Sequence, residues 1–295
     1  MKRIVWILLA MILAAGCISC AQQQNPEQTP SSDAVVTELS AAAEDSSMED
    51  SAVAEESSAI PAEALRYILH AGGVTPNGIV GSNSLEALDY SYERGFRVME
   101  MDFCWTEDDY LVCVHDWDAY YAHKFNKTCV TMEEFESVRY GTYGFTSMTL
   151  YDLADWMVEH PDAVIVTDIK DRSMEGAALI AERYPDLLDR FCFQIYSKAD
   201  FDPVRALGFE NIILTIYQLP WEEKIDPAGL AEYARTHDLV GLTYPLEIHE
   251  WYEGYTDILL TAQTPLFMHT INDAEQQQAL FDLGIAGIYT DNGGT

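Results

Sequence analysis

Two carboxylates, Glu100 and Asp102, interrupt an otherwise apolar run, Val98–Phe103. Side chains on a β-strand alternate faces, so residues two apart point the same way. Paired acids on one face of a buried strand repel and lose hydration, and a bound cation is the usual compensation. Twelve residues separate Asp102 from His115-Asp116, which ends a second apolar run, Leu111–Val114. The turn between the runs, Thr106–Asp109, is too short for a crossover helix, so the runs read as an antiparallel hairpin that returns His115 to the acids. His70 ends the run Tyr67–Leu69, and Asp168-Ile-Lys170 ends Ala163–Thr167. Taken singly, each of these is more often a cap or a loop hydrogen-bonder. Together they make a set with one use. The oxygens of Glu100, Asp102 and Asp168 suit a hard divalent cation, Ca²⁺ or Mg²⁺. Histidine as a residue type exchanges protons near neutral pH, so His70 and His115 suit general acid–base work, and Lys170 adds positive charge. That combination points to hydrolysis of a phosphodiester bond.

The elements that must hold these residues alternate in type. Apolar runs of strand length occur at Tyr67–Leu69, Val98–Phe103, Ala163–Thr167, Phe191–Tyr196, Ile212–Tyr217, Leu239–Tyr244, Pro265–Ile271 and Ile285–Tyr289. Helical patterns lie between most of them. Ser82-Asn83-Ser84 caps one, Thr131-x-x-Glu134 and Thr149-x-x-Asp152 have the form of capping boxes, and Asn272-Asp273 opens the last. Eight strands in β/α alternation predict a (β/α)8 TIM barrel with a hairpin after the second strand; an open doubly wound sheet is the competing layout. In a barrel, His70, Glu100, Asp102, Asp168, Lys170, His269 and Asp291 all fall at strand C-terminal ends, the face that carries active sites. His123, His160, His237 and His249 lack such settings and are assigned to surface or structure.

The rest of the chain sets the context. Lys2-Arg3, an apolar run to Ala15 and Gly16-Cys17 form a secretory signal (1–16) whose end resembles a bacterial lipobox, with Cys17 as the lipidated residue and Cys20 as a weaker site. Residues 17–60 hold nine Asp and Glu and no Lys or Arg, the composition of a disordered acidic tether. Residues 61–295 are long enough for one barrel domain. The predicted location is therefore extracytoplasmic, as a bacterial cell-membrane lipoprotein attached through its N-terminal lipid. The formal net charge is −33, of which the domain carries −26 (14 Lys and Arg against 40 Asp and Glu). A nucleic-acid partner is excluded on that charge, and an anionic substrate needs local compensation. Cys104, Cys113, Cys129 and Cys192 show no zinc spacing. Cys104 and Cys113 flank the hairpin and are candidates to pair, although all four also read as small buried apolar residues.

In order and spacing these motifs resemble the glycerophosphodiester phosphodiesterase family, within the phosphatidylinositol-phospholipase-C-like barrels. His70-Ala-Gly-Gly73 is similar to the family's His-Arg-Gly, and Asn83–Leu88 to its Glu-Asn-Thr-x-x-Ala-Phe. Glu100-Met-Asp102, Thr106-x-Asp108 and Val112-x-Val-His115-Asp116 are similar to its Glu-x-Asp, Thr-x-Asp-Gly and Val-x-x-His-Asp. Asp168-Ile-Lys170, Met268–Asn272 and Gly284–Asp291 resemble its Glu-Ile-Lys, Trp-Thr-Val-Asn and Gly-Val-Asp-Gly-Ile-Ile-Thr-Asp. The resemblance spans roughly residues 65–292. It implies a barrel, a divalent cation on Glu100, Asp102 and Asp168, catalysis by His70 and His115, and substrate or phosphate contacts from Lys170, Asn83 and His269. It also implies a small or lipid-derived phosphodiester substrate, attacked by water or by a neighbouring glycerol hydroxyl. Ala71 stands where the family has a phosphate-binding Arg, Ser82 where it has Glu, Asp168 where it has Glu and His269 where it has Trp. These departures leave open a phospholipase of C or D type, acting on intact lipids or cell-wall polymers, and a non-catalytic binding module. Trp117, Tyr120, Tyr121 and Trp251 are the candidate membrane-facing aromatics.

Overall fold

A computed structural model describes residues 60–118 and 120–294. The signal, Cys17, Cys20 and nearly all of the tether lie outside the described residues. Ten strands form one sheet: β1 (Tyr67–Leu69), β2 (Val98–Trp105), β3 (Leu111–Cys113), β4 (Met148–Thr149), β5 (Val164–Ile169), β6 (Phe191–Ile195), β7 (Asn211–Thr215), β8 (Gly241–Pro245), β9 (Leu266–His269) and β10 (Gly287–Thr290). Eight of them are parallel and run around a barrel in the order β1, β2, β5 to β10. β1 closes it by pairing with β10 (Tyr67 opposite Ile288) and with β2 (Leu69 opposite Met99). That double pairing of β1 rules out the open sheet.

The hairpin is as the short turn requires. β3 runs antiparallel to β2, with Phe103 opposite Cys113 and Cys104 opposite Val112. β4 extends it by a third strand, Val112 opposite Thr149. Sequence reading missed β4 because it is two residues long and its Thr149 also caps the helix Leu150–Glu159. Both capping boxes form, at Thr131/Glu134 and Thr149/Asp152. Neighbouring positions on a strand face opposite sides, and Cys104 and Cys113 pack into different apolar clusters accordingly. All four domain cysteines are buried thiols outside any disulfide, so Cys104 and Cys113 do not pair.

The barrel interior changes character along its axis. Its lower end is filled by Leu65, Ile68, Val98, Val166, Cys192, Ile213, Phe267 and Tyr289. Gly241 makes room for this plug, since a Cβ there would lie 2.2 Å from the Phe267 ring. One inward step further along each strand, period two turns these residues into His70, Glu100, Asp168, Gln194, Thr215, His269 and Asp291. The hairpin arm has a core of its own, in which Trp117 and Tyr121 are buried against Phe135. These two aromatics therefore do not face a membrane; Trp251 is exposed, and so is Trp221, on adjacent strand-to-helix connections.

Candidate active site

β2 supplies the centre. Glu100 and Asp102 are both almost fully buried, on the inward face. Glu100 Oε2 accepts the backbone N–H of Ala71 at 2.8 Å, and Oε1 has no hydrogen-bond partner. To make that contact Ala71 adopts a left-handed backbone (φ 50°), a strained conformation for a residue with a Cβ. Burial, and then the Asp102 charge, pushes the Glu100 carboxyl well above the usual range. Burial acts on Asp102 too, but the Lys170 charge leads a set of opposing effects that hold its carboxyl below the usual range. Asn83 clamps Asp102 from both ends of its amide, donating to Oδ2 and accepting from the Asp102 backbone N–H, each at 2.9 Å. The Asn83 side chain is thus turned to Asp102 and does not line the pocket.

The strand register places Asp168 opposite Asp102. Lys170 Nζ bridges the two acids, 2.7 Å from Asp168 Oδ2 and 3.0 Å from Asp102 Oδ1, and the Tyr196 hydroxyl donates to Asp168. Burial opposes the ammonium form of Lys170, but the two aspartates outweigh it and raise its pKa. Burial, then Asp102, raises the Asp168 carboxyl against the pull of Lys170. The ligand atoms that lie within 4.8 Å of one another are those of His70, Glu100 and Asp102; Asp168, engaged by Lys170 and Tyr196, stands outside that group.

The two candidate imidazoles share this pocket, which has a volume of about 180 Å³ and is also lined by Gln194, Tyr217, His269, Thr270 and Tyr289. His70 Nδ1 lies 2.8 Å from Asp291 Oδ1. A carboxylate only accepts, so Nδ1 carries the proton and Nε2 is left for a ligand. Burial lowers the His70 pKa, but the Asp291 hydrogen bond and the charges of Glu100 and Asp102 outweigh it and push it up to about 9. His115 sits at the exposed rim with Nδ1 2.7 Å from Asp116 Oδ2. His160 and His237 stack on Trp156 and Tyr233, and His249 Nδ1 contacts the Thr256 hydroxyl, all away from the pocket.

Sequence reading put Asp291 on the active face without a partner, made Asn272 part of a helix cap and gave Tyr196 no role. Asn272 does not open the last helix: Asp273 is the N-cap, accepting from Gln276, while Asn272 donates to Asp291 at 2.6 Å. Period two along the last and sixth strands, from Tyr289 to Asp291 and from Gln194 to Tyr196, was the available signal.

The eight-stranded parallel barrel thus gathers carboxylates, a lysine and two imidazoles at its C-terminal mouth, a set suited to phosphodiester hydrolysis. Residues 70–191, which contain His70, Glu100, Asp102, His115, Asp168 and Lys170, match the family described as the glycerophosphoryl diester phosphodiesterase family. Solved structures of the same fold include a glycerophosphodiester phosphodiesterase from Parabacteroides distasonis (18% identity, TM-score 0.61, covering 77% of this chain and 92% of that one). Another is from Thermotoga maritima (20%, 0.58, 78% and 96%). A third is an Oleispira antarctica phosphodiesterase in complex with the product sn-glycerol-3-phosphate (16%, 0.60, 78% and 94%).

Proposed function

We propose that this protein hydrolyses glycerophosphodiesters to glycerol phosphate and an alcohol, in a reaction that requires a divalent cation and two histidines. The observation that carries the reading is the pair Glu100–Asp102 with Glu100 Oε1 buried and unpartnered. A buried acid that lacks a donor is costly, and a hard cation of the Ca²⁺ or Mg²⁺ type answers that cost. Glu100 and Asp102 would hold it, and Asp168 would join the oxygen set on release from Lys170 and Tyr196. When bound, the cation would offset the phosphoryl charge.

The remaining steps belong to the side chains. His70, fixed by Asp291 through Nδ1, gives a proton from Nε2 to the departing oxygen. His115, with Nδ1 turned to Asp116, takes a proton on Nε2 from the attacking water or hydroxyl. Lys170 adds positive charge beside the phosphoryl oxygens. The product named for the Oleispira structure supports a glycerol-bearing substrate. The exposed Trp221 and Trp251 favour, as a second reading, a substrate presented at a lipid surface. That surface would be reached through a lipid anchor on Cys17, which makes the protein an extracytoplasmic lipoprotein. No helix among the described residues is long and apolar enough to cross a membrane.

The test is turnover by the purified domain on a panel of phosphodiesters with added Ca²⁺ or Mg²⁺ and with chelator. Chelator should abolish activity, and His70→Ala and His115→Ala should each lose at least ~10²-fold in kcat, the scale of one lost proton transfer. The two losses should not multiply in the double variant. Full turnover in chelator, or in either single variant, overturns the mechanism.

A further inference from the structure

Two residues that line the pocket each carry a buried polar atom with no hydrogen-bond partner, Glu100 at Oε1 and His269 at Nε2. The first is accounted for by a cation. The second is not. The His269 ring sits between Tyr217 and Tyr289, with centroids 5.4 and 5.9 Å away and both contacts edge-on, so its direction is set by packing. Burial first, then the charges of His70 and Lys170, hold its pKa down to about 4, and the imidazole is neutral at working pH. A neutral ring nitrogen held dry at the wall of a pocket is costly when empty and is satisfied by one ligand hydrogen bond.

We propose that His269 is the specificity-determining contact for a free hydroxyl on the glycerol arm of the substrate. This rests on the phosphodiesterase reading above and adds to it the group that is recognised. A hydroxyl both donates and accepts, so it pairs with either tautomer of a neutral imidazole. The phosphoryl anion pairs with the charges of His70 and Lys170, which leaves the neutral His269 ring for an uncharged group. A cationic headgroup would meet the repulsion of those same two charges.

Binding separates these cases better than turnover, because a hydroxyl beside the ester is itself a potential nucleophile. Glycerol 3-phosphate and propyl phosphate, which lacks both hydroxyls, are titrated calorimetrically in Ca²⁺ into wild type, His269→Phe and His269→Gln. The wild type should prefer glycerol 3-phosphate by at least about tenfold, the scale set by one buried hydrogen-bonding group left unpaired. His269→Phe should bring the two ligands within about threefold by losing affinity for glycerol 3-phosphate alone, and His269→Gln should keep most of the preference. No preference in the wild type, an unchanged preference in His269→Phe, or an equal loss on both ligands overturns the proposal. Equal loss would place His269 on the phosphoryl oxygens. Where His269→Phe does not fold, the wild-type and His269→Gln preferences decide. Wild-type turnover on glycerophosphodiesters is measured in parallel. Turnover without the hydroxyl preference sinks only this inference, whereas no turnover sinks the activity reading and this inference with it.

Discussion

His269 shows how one position connects chemistry to stability. Its folded pKa lies near 4 against 6.5 for an ordinary histidine. Between those values the unfolded chain binds a proton that the folded chain refuses, so stability is lost as pH falls from about 6.5 towards 4. The full effect is bounded by the shift, roughly 3 kcal/mol. The groups facing the ring are Tyr217, Tyr289, His70 and Lys170. Urea unfolding in chelator at pH 7 and pH 4.5 should show a steeper loss in wild type than in His269→Phe. Equal losses would mean that the ring is already solvated when folded. Asp102 has the opposite character: Asn83 and Lys170 hold its charge in place.

At the scale of elements, the hairpin arm carries His115 and must stay docked for the site to be whole. Thr149 joins the arm to the barrel, since it pairs with Val112 in β3 and caps the helix Leu150–Glu159. Its hydroxyl accepts the Asp152 N–H and donates to the Asp152 carboxylate at 2.8 Å. Removing an N-cap of this type costs about 1 kcal/mol. Thr149→Ala should therefore lower the unfolding free energy by that amount, read as a lower urea midpoint at unchanged slope, while Thr149→Ser should restore most of it. A larger loss accompanied by a changed slope would mean that the arm unfolds separately.

For the whole molecule, 14 Lys and Arg against 40 Asp and Glu leave the domain at −26, and several of those acids converge on the barrel mouth. A cation bound only by the folded state stabilises it by mass action, about 2.7 kcal/mol at a concentration of 100 Kd. Ca²⁺ or Mg²⁺ should thus raise Tm in wild type and leave Glu100→Gln unmoved. An equal rise in Glu100→Gln would assign the effect to surface acids. For the chain as a whole, Cys17→Ala should block N-terminal processing or release the protein from membranes. A mutant that fractionates with membranes in fully processed form would remove the lipid anchor from the proposal.

Much of this was readable in the chain. Period two on Val98–Asp102, the short turn at Thr106–Asp109 and the β/α alternation determine a barrel, a hairpin and a mouth that gathers His70, Glu100, Asp102, His115, Asp168 and Lys170. Those are local regularities of backbone geometry, and a single strand or turn displays them. What only the tertiary structure decided is which polar group each of these residues meets. Asn83 turns to Asp102, Asp168 to Lys170 and Tyr196, His70 to Asp291, and Asn272 leaves its cap to hold Asp291. Trp117 and Tyr121 are buried in the arm, and Cys104 and Cys113 point into separate clusters. Such pairings join positions as far as 221 residues apart, His70 with Asp291. They arise from barrel closure and strand register, which bring distant strand ends together in a way that no local pattern records.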